Sequence, residues 1–202
     1  MRPGYPSRRK ALVINWTLKR SPDPSHTEAP ARVVTEQLAG RGVAVEVLRA
    51  VDLPIGPGVV SEAVREGGAW PAVHHKLLDA EILVVASSAW FGHPSSVAQR
   101  VSETDDEGRP VASNRVAGVV VTGNEDGAHH VIGELQGALA DIGSTVPGRA
   151  WTYWHLGPGP GPDCLEEERG RDWSHRTGRA MAANLYGVAR APAERPVGAP
   201  PG

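Results

Sequence analysis

The apolar residues of this chain fall into short aliphatic runs, and three of these runs end in loops of small and hydroxyl-bearing residues that lead into helices. These transitions lie at residues 12–27, 82–96 and 119–130. The last reads VVVTGNEDGAHHVIGEL, which predicts a buried strand, a polar turn and an amphipathic helix. Open α/β sheets bind ligands at the carboxyl ends of their strands, so three such loops together predict a site for a small anionic or planar ligand.

The hydrophobic pattern predicts five strands. Near-continuous aliphatic runs at 81–86 and 116–122 are typical of central parallel strands that helices cover on both faces. The alternating segment at 43–48 predicts a strand near the edge of the sheet. The two remaining strands are predicted at 11–15 and 145–154.

Helical spacing of apolar residues predicts a helix after each of several strands. The first ends at Ala39, and Ser25 or Thr27 is expected to cap its N-terminus. Pro30 lies inside this helix, where it removes a hydrogen bond unless the helix begins later. The other helices are expected at about 71–78, from 128 to 142 and at about 174–190. Alternating strands and helices predict an α/β fold, a three-layer sandwich around a five-stranded parallel sheet with right-handed crossovers.

Length and composition predict one domain at residues 11–190, between a flexible N-terminus at 1–10 and a disordered tail at 191–202. The 202 residues carry a formal net charge of −2, which argues against a general nucleic-acid binder and a polybasic membrane surface. No apolar run approaches the roughly 20 residues of a membrane span. The short apolar segment near the N-terminus does not fit a signal peptide, and the single cysteine suits a reducing compartment, so a cytoplasmic protein is expected.

Neither the cysteine nor the histidines predict a reactive or metal centre. Cys164 precedes an acidic run at 166–168, and negative charge raises the pKa of a thiol, so a structural or incidental cysteine is expected. The neighbouring histidines at 74–75 and at 129–130 lie about 100° apart on a helix and cannot share one ion. Without a cysteine cluster, we therefore predict no metal site. The chain also has no G-x-S-x-G motif, which argues against a serine hydrolase.

The first loop, at 16–27, predicts a phosphate site. Thr17, Ser25 and Thr27 supply hydroxyls and Lys19 supplies charge just before a helix N-terminus, where N–H groups and the helix dipole favour an anion. The motifs of triphosphate and dinucleotide loops are both missing, so a phosphomonoester is the better candidate. The alternative is that these hydroxyls only cap the helix.

The second loop, at 87–96, predicts one wall of a slot for a flat ring. Trp90 and Phe91 stand beside Gly92 where the chain leaves a central strand, and Phe91 is the only phenylalanine. Two adjacent aromatic side chains at a loop mouth suit a planar ligand. A hydrophobic plug or an oligomer contact is the alternative.

The third loop, at 122–130, predicts a contact with an uncharged edge of the ligand. Gly123 and Gly127 allow backbone N–H groups to approach a ligand closely. Glu125 and Asp126 would repel a phosphate, so the phosphate is expected at the first loop and not here.

In these three loops the chain resembles the NADPH-dependent FMN reductases and quinone reductases of the flavodoxin-like superfamily. The resemblance covers about residues 10–190 and rests on the phosphate-type loop, the segment SSAWFGHPSSVAQR and the turn VTGNEDGAHH. It implies a sheet of order 2-1-3-4-5, FMN as cofactor, NAD(P)H as co-substrate, and a homodimer or homotetramer.

The resemblance also implies which residues contact the cofactor. The phosphate would bind at Thr17, Lys19, Ser25 and Thr27. The isoalloxazine would lie along Ser88, Ala89, Trp90, Phe91 and Gly92. The ring edge would be closed by Thr122, Gly123, Asn124 and Gly127, with His129 nearby. No side chain need act as an essential base, because the flavin carries the redox chemistry.

The function that follows is electron transfer from NAD(P)H through FMN to a quinone, a flavin or another small acceptor. A one-electron flavodoxin-type carrier is an alternative, although the near-neutral charge argues against it. A second alternative is a flavodoxin-fold protein that has lost or weakened flavin binding and acts as a binding or structural subunit. The helix expected at 95–103 favours that alternative because an acidic turn shortens it, and the bulky Trp16 is a further departure from the family pattern.

Overall fold

A computed structural model of the chain describes residues 9–55, 66–90, 93–94, 110, 112–123, 126–156 and 161–198, with Trp90 described by its backbone. The elements in chain order are β1 (Lys10–Asn15), α1 (Glu28–Ala39), β2 (Ala44–Arg49), a 3-10 turn (Ala50–Asp52), α2 (Trp70–Asp79), β3 (Ile82–Trp90), β4 (His93–Pro94), β5 (Val116–Thr122), α3 (Ala128–Asp141), β6 (Trp151–Trp154) and α4 (Arg171–Glu194). No helix of the described ranges is long and apolar enough to cross a bilayer.

Five parallel strands form the sheet in the order β2-β1-β3-β5-β6, and the short β4 pairs antiparallel with the end of β3. Counted without β4, this is the predicted order 2-1-3-4-5, so the fold prediction is confirmed. The register places Asn15 opposite Ala86 and Thr122 opposite Ser88. The last residues of β3 therefore project beyond the end of β1.

Two predicted strands have the wrong length. β3 continues to Trp90 because Ser87 and Ser88 pair with β5 and the next residues pair with β4, so the start of the predicted second loop is strand. The predicted strand at 145–154 shrinks to β6, and Thr145 makes only an isolated bridge to Val116. Pro147, which has no N–H to donate, lies between the two pairings.

Helices cover the sheet on both faces, as the three-layer prediction requires. Val34 and Leu38 of α1 pack with Met181 and Leu185 of α4 on one face. On the other face, α2 and α3 pack against the strands, with Leu135 among the buried residues of α3. α4 begins before the predicted start at 174 and extends to Glu194, inside the segment predicted as a tail.

The start of α1 accommodates Pro30 without loss of a hydrogen bond. The helix begins at Glu28, so Pro30 is its third residue, where an N–H would have no partner within the helix. Thr27 occupies the N-cap position, but its side chain makes no capping hydrogen bond. The hydroxyl of Ser25 instead accepts the N–H of Glu28 at 3.3 Å. Of the two residues predicted to cap the helix, Ser25 is the one whose side chain accepts a hydrogen bond from its first turn.

Candidate functional site

The phosphate-type loop is organised by Asn15, the last residue of β1. Its side chain is buried, and its Oδ1 accepts the N–H of Thr17 at 3.1 Å. Its Nδ2 donates to the hydroxyl of Ser25 at 3.1 Å. One amide thereby connects the beginning and the end of the loop. Sequence reasoning missed Asn15 by treating it only as a strand residue, although an amide closing an aliphatic strand was the available signal.

The three predicted phosphate hydroxyls belong to buried residues, whereas the predicted cation belongs to an exposed one. Thr17, Ser25 and Thr27 are all buried, and Lys19 is exposed. The hydroxyl of Thr17 accepts the N–H of Lys19 at 3.3 Å. The loop thus folds its hydroxyls inward at the N-terminus of α1 and presents its lysine to solvent.

Arg49, at the end of β2, holds the outer half of this loop. Its Nη1 donates to the carbonyl oxygens of Asp23 at 2.8 Å and Lys19 at 3.3 Å. Its Nη2 donates to the carboxylate of Glu28 at 2.6 Å. Because its hydrogen bonds are made within the protein, Arg49 supplies a positioning contact that sequence reasoning did not identify.

Asp52 supplies a second anchor from the turn that follows β2. Its carboxylate accepts the N–H of Ser21 at 3.0 Å and the hydroxyl of Ser21 at 2.6 Å. These hydrogen bonds, with smaller contributions from Arg49 and Arg20, lower the pKa of Asp52. The carboxylate therefore stays ionised at neutral pH and keeps the loop attached to the sheet edge.

A buried hydrogen bond joins the first and third loops. The hydroxyl oxygens of Thr27 and Thr122 lie 2.9 Å apart, and both side chains are almost fully buried. Gly123, next along the third loop, donates its N–H to the carbonyl of Trp154. Gly127 is the N-cap of α3 and has a φ of 107°, a conformation that favours glycine. The structure therefore brings Thr27 of the predicted phosphate loop into contact with Thr122 of the predicted ring-edge loop.

The start of the second loop lies beside the start of the third, because β3 and β5 are paired up to these residues. Ser88 lies opposite Thr122, and Ala89 follows it as a buried strand residue. Three further predicted contacts, Phe91, Gly92 and Asn124, lie outside the described residues, as do the helix expected at 95–103 and the side chain of Trp90. The backbone of β3 accordingly runs beside the Thr27–Thr122 contact.

His129 lies against the edge of the sheet at β6. Its ring meets the ring of Tyr153 edge-on at 5.0 Å and that of Trp151 at 5.6 Å. Trp173 of α4 lies 4.6 Å from Tyr153 and completes a partly buried aromatic group. The sequence prediction placed His129 near the ring edge but did not identify these aromatic partners.

Trp16 packs into the protein interior and lines an apolar cavity of about 90 Å³. Trp70, Leu77 and Leu139 line the same cavity, on the face covered by α2 and α3. None of its described lining residues belongs to the predicted cofactor contacts. The bulk of Trp16 is therefore accommodated in the core.

Cys164 is a poor nucleophile, as expected. Its pKa is raised to about 11, mainly by burial; Arg171 partly lowers it, and Asp163 makes a smaller contribution that raises it. The predicted direction of the pKa shift is confirmed. Its main cause is burial, whereas the sequence prediction assigned it to the acidic run at 166–168.

The comparison with known families agrees with this arrangement. Residues 10–157 match the model of the NADPH-dependent FMN reductase family. The chain belongs to this family. It is an enzyme of the FMN reductase type that uses FMN and NAD(P)H, which confirms the predicted enzyme class and cofactors.

Individual relatives of this FMN reductase family member differ in what they do. It is 33% identical over 205 residues to 8-demethyl-8-aminoriboflavin-5'-phosphate synthase of Streptomyces davaonensis, covering 93% of this chain and 79% of that protein. It is 38% identical over 201 residues to the divalent metal cation transporter MntH of Mycobacterium bovis. The match covers 91% of this chain but only 29% of the transporter, so the chain spans less than a third of that relative.

Solved structures show the same fold. The crystal structure of RosB with the bound intermediate 8-demethyl-8-formylriboflavin-5'-phosphate has a TM-score of 0.85 at 32% identity, covering 94% of this chain and 82% of that one. The NADH:FMN oxidoreductase EMOB has a TM-score of 0.62 at 13% identity, covering 88% and 90% of the two chains. At that identity, the second likeness concerns the fold alone.

Proposed function

We propose that this FMN-dependent oxidoreductase binds FMN at the carboxyl ends of β1, β3 and β5 and passes electrons from NAD(P)H to a quinone or a free flavin. The buried hydrogen bond between Thr27 and Thr122 carries the proposal. It joins the loop suited to a phosphate with the loop suited to a ring edge, at the edge of the sheet where α/β proteins bind ligands.

The phosphate would bind at the N-terminus of α1, held by Thr17, Lys19, Ser25 and Thr27. Hydroxyl groups can turn to donate to phosphate oxygens, and the helix N-terminus adds a favourable dipole. Asn15 supports this assignment because it connects the backbone at Thr17 with the hydroxyl of Ser25. The exposed Lys19 would add the positive charge.

The ring would lie along the end of β3, beside Ser88, Ala89, Trp90, Phe91 and Gly92. Its edge would meet Thr122, Gly123, Asn124 and Gly127, with His129 nearby. The register supports this placement, since Ser88 stands opposite Thr122 and β3 projects beyond β1. When bound, FMN supplies the hydride chemistry, and the residues of the chain bind and orient it.

The binding site is tested by titrating the FMN-free protein with FMN and following the quenching of flavin fluorescence. Lys19→Glu and Ser25→Asp should each weaken FMN binding by at least about tenfold, because each places a negative charge beside the phosphate. Thr35→Asp is the matched control, since it adds the same charge further along α1. Unchanged affinity in the Lys19 and Ser25 variants would place the phosphate elsewhere, and no binding at micromolar FMN would refute the proposal.

The acceptor is tested by following NAD(P)H oxidation with a quinone, with free FMN and with a ferric chelate in turn. The ferric chelate is included because the transporter relative handles metal cations. Rapid bleaching of bound flavin by NADPH, followed by multiple turnovers with one acceptor, is expected of a reductase. If NADPH does not bleach the bound flavin, the one-electron carrier is favoured. Light scattering on the same samples measures the proposed homodimer or homotetramer.

A second candidate is an enzyme that takes the flavin phosphate as its substrate. The likeness to RosB, at 32% identity and a TM-score of 0.85, favours it. Binding does not separate the two candidates, because the same contacts would hold a cofactor or a substrate. The mass of the flavin after many turnovers of NAD(P)H separates them. An unchanged mass supports the oxidoreductase, whereas a new mass supports the second candidate.

A further inference from the structure

A group of two histidines and a glutamate lies outside the proposed flavin contacts. His93 belongs to β4, and His130 and Glu134 belong to α3. Each offers one ligand atom, and these atoms all lie within 4.8 Å of one another. The Nδ1 of His93 is 3.3 Å from the Oε1 of Glu134, and the Nε2 of His130 is 3.4 Å from the same oxygen.

Local structure and sheet pairing both contribute to this grouping. His130 and Glu134 are four residues apart on α3 and therefore share one side of the helix. His93 arrives from a distant part of the sequence because β4 folds back on β3 and packs against α3. Sequence reasoning compared only neighbouring histidines and could not see this partner.

The spacing of the three groups fits a metal site. The Nδ1 of His93 makes a long hydrogen bond of 3.3 Å with the Oε1 of Glu134, and the Nε2 of His130 lies 3.4 Å from the same oxygen, so both contacts are longer than the about 2.9–3.0 Å at which such hydrogen bonds are most common. Ligands at about 2.0–2.1 Å from a tetrahedral zinc ion lie about 3.3–3.4 Å from one another. Two of the three separations match this spacing, and the two imidazole nitrogens lie within 4.8 Å of each other, so an ion could bind all three atoms after an adjustment of the exposed side chains.

The charges and exposure also suit a cation. Within the described part of the chain, Glu134 forms ion pairs with His93 and His130 and with no lysine or arginine. Side-chain exposures of 62% for His93 and 60% for His130 leave room for an ion and a water molecule. Imidazole nitrogen with carboxylate oxygen is a ligand set that zinc uses when one position stays open.

We propose that His93, His130 and Glu134 bind one divalent transition-metal ion of the zinc type, with the fourth coordination position open to solvent. The ion would link β4, which lies within the second loop, to α3, which begins within the third. Because a ligand that binds only the folded state stabilises it, the metal should raise the thermal stability of the protein. The inference is independent of flavin binding and replaces the sequence-based expectation of no metal site.

The test is titration of tag-free, FMN-free protein with Zn²⁺ in competition with a chromophoric chelator. The variants are His93→Ala, His130→Ala and Glu134→Gln, and the matched control is His75→Ala, which removes an exposed histidine from α2. We expect one equivalent to bind to the wild-type and control proteins. Each of the three variants should bind at least about tenfold more weakly, since even outer-shell changes cost 10-fold to 100-fold.

Stability in the absence of metal separates metal binding from folding. Metal-free melting curves of the variants should match that of the wild type, because the two histidines are exposed and Glu134→Gln conserves shape. Added Zn²⁺ should raise the melting temperature of the wild-type and control proteins only. The proposal fails if the wild type binds no equivalent at micromolar Zn²⁺, or if any of the three variants binds as tightly as the wild type.

Discussion

The Thr27–Thr122 hydrogen bond can be isolated by replacing each threonine with valine, alone and together. The two hydroxyl oxygens are 2.9 Å apart, and the residues are 2% and 4% exposed. Valine keeps the branched shape of threonine and exchanges one hydroxyl for a methyl group. Because the hydroxyl of Thr27 does not cap α1, its removal tests the loop-to-loop contact and no helix cap.

The expected energies follow from burial. Each single variant leaves the opposite hydroxyl buried without its partner, which costs about 1–3 kcal/mol of unfolding free energy. The double variant removes both hydroxyls and should cost much less than the sum of the single changes. The coupling energy of the double-mutant cycle is therefore expected to be about 1–3 kcal/mol. Valine is a poorer N-cap residue than threonine, which destabilises the Thr27→Val variant and the double variant by the same amount. This effect therefore cancels in the coupling energy.

Urea denaturation of the FMN-free protein, followed by tryptophan fluorescence, measures these free energies. Thr35→Val is a control, because the hydroxyl of Thr35 donates to the carbonyl of Arg32 within its own helix. It should change stability by at most about 0.5 kcal/mol. Strict additivity of the single losses in the double variant would refute the contact between the first and third loops.

Two further predictions concern the core and the cysteine. Gly118→Ala should destabilise by about 1–3 kcal/mol in the same urea assay, because its Cβ would lie 2.7 Å from the carbonyl oxygen of Ala150. Gly133→Ala on α3, where a Cβ meets nothing within 4 Å, should stabilise the protein slightly. If the Gly118 and Gly133 variants changed the free energy of unfolding equally, the close packing around β5 would be contradicted. Cys164, with its pKa raised to about 11, should react slowly with a thiol reagent at pH 8 until the chain unfolds. Since an unfolded thiol ionises near pH 9.0 and the folded one near 11, stability should fall across that range, and Cys164→Ala should remove that part of the fall.

The best-predicted elements are those whose pattern is local. β5 spans the predicted residues 116–122, because a wholly buried strand shows as a continuous aliphatic run that ends in polar residues. α3 begins at Ala128 as expected, after a glycine at positive φ. β3 was predicted too short because its aliphatic run ends at Ala86 and the small, polar Ser87 and Ser88 follow. Their extended conformation depends on strands that are distant in the sequence.

The sequence by itself determined the layered fold and the three loops at the ligand edge, because these follow from periodicity and from motifs within single segments. The family and its cofactors came from the resemblance of those motifs to known reductases. Tertiary structure alone decided the partners of the site residues. Thr27 meets Thr122 because β1 and β5 both border β3, and His93 meets Glu134 because β4 pairs with β3 and packs against α3. A local pattern extends only a few residues along a helix or strand, whereas these contacts depend on strand register and crossover, which only the folded chain establishes.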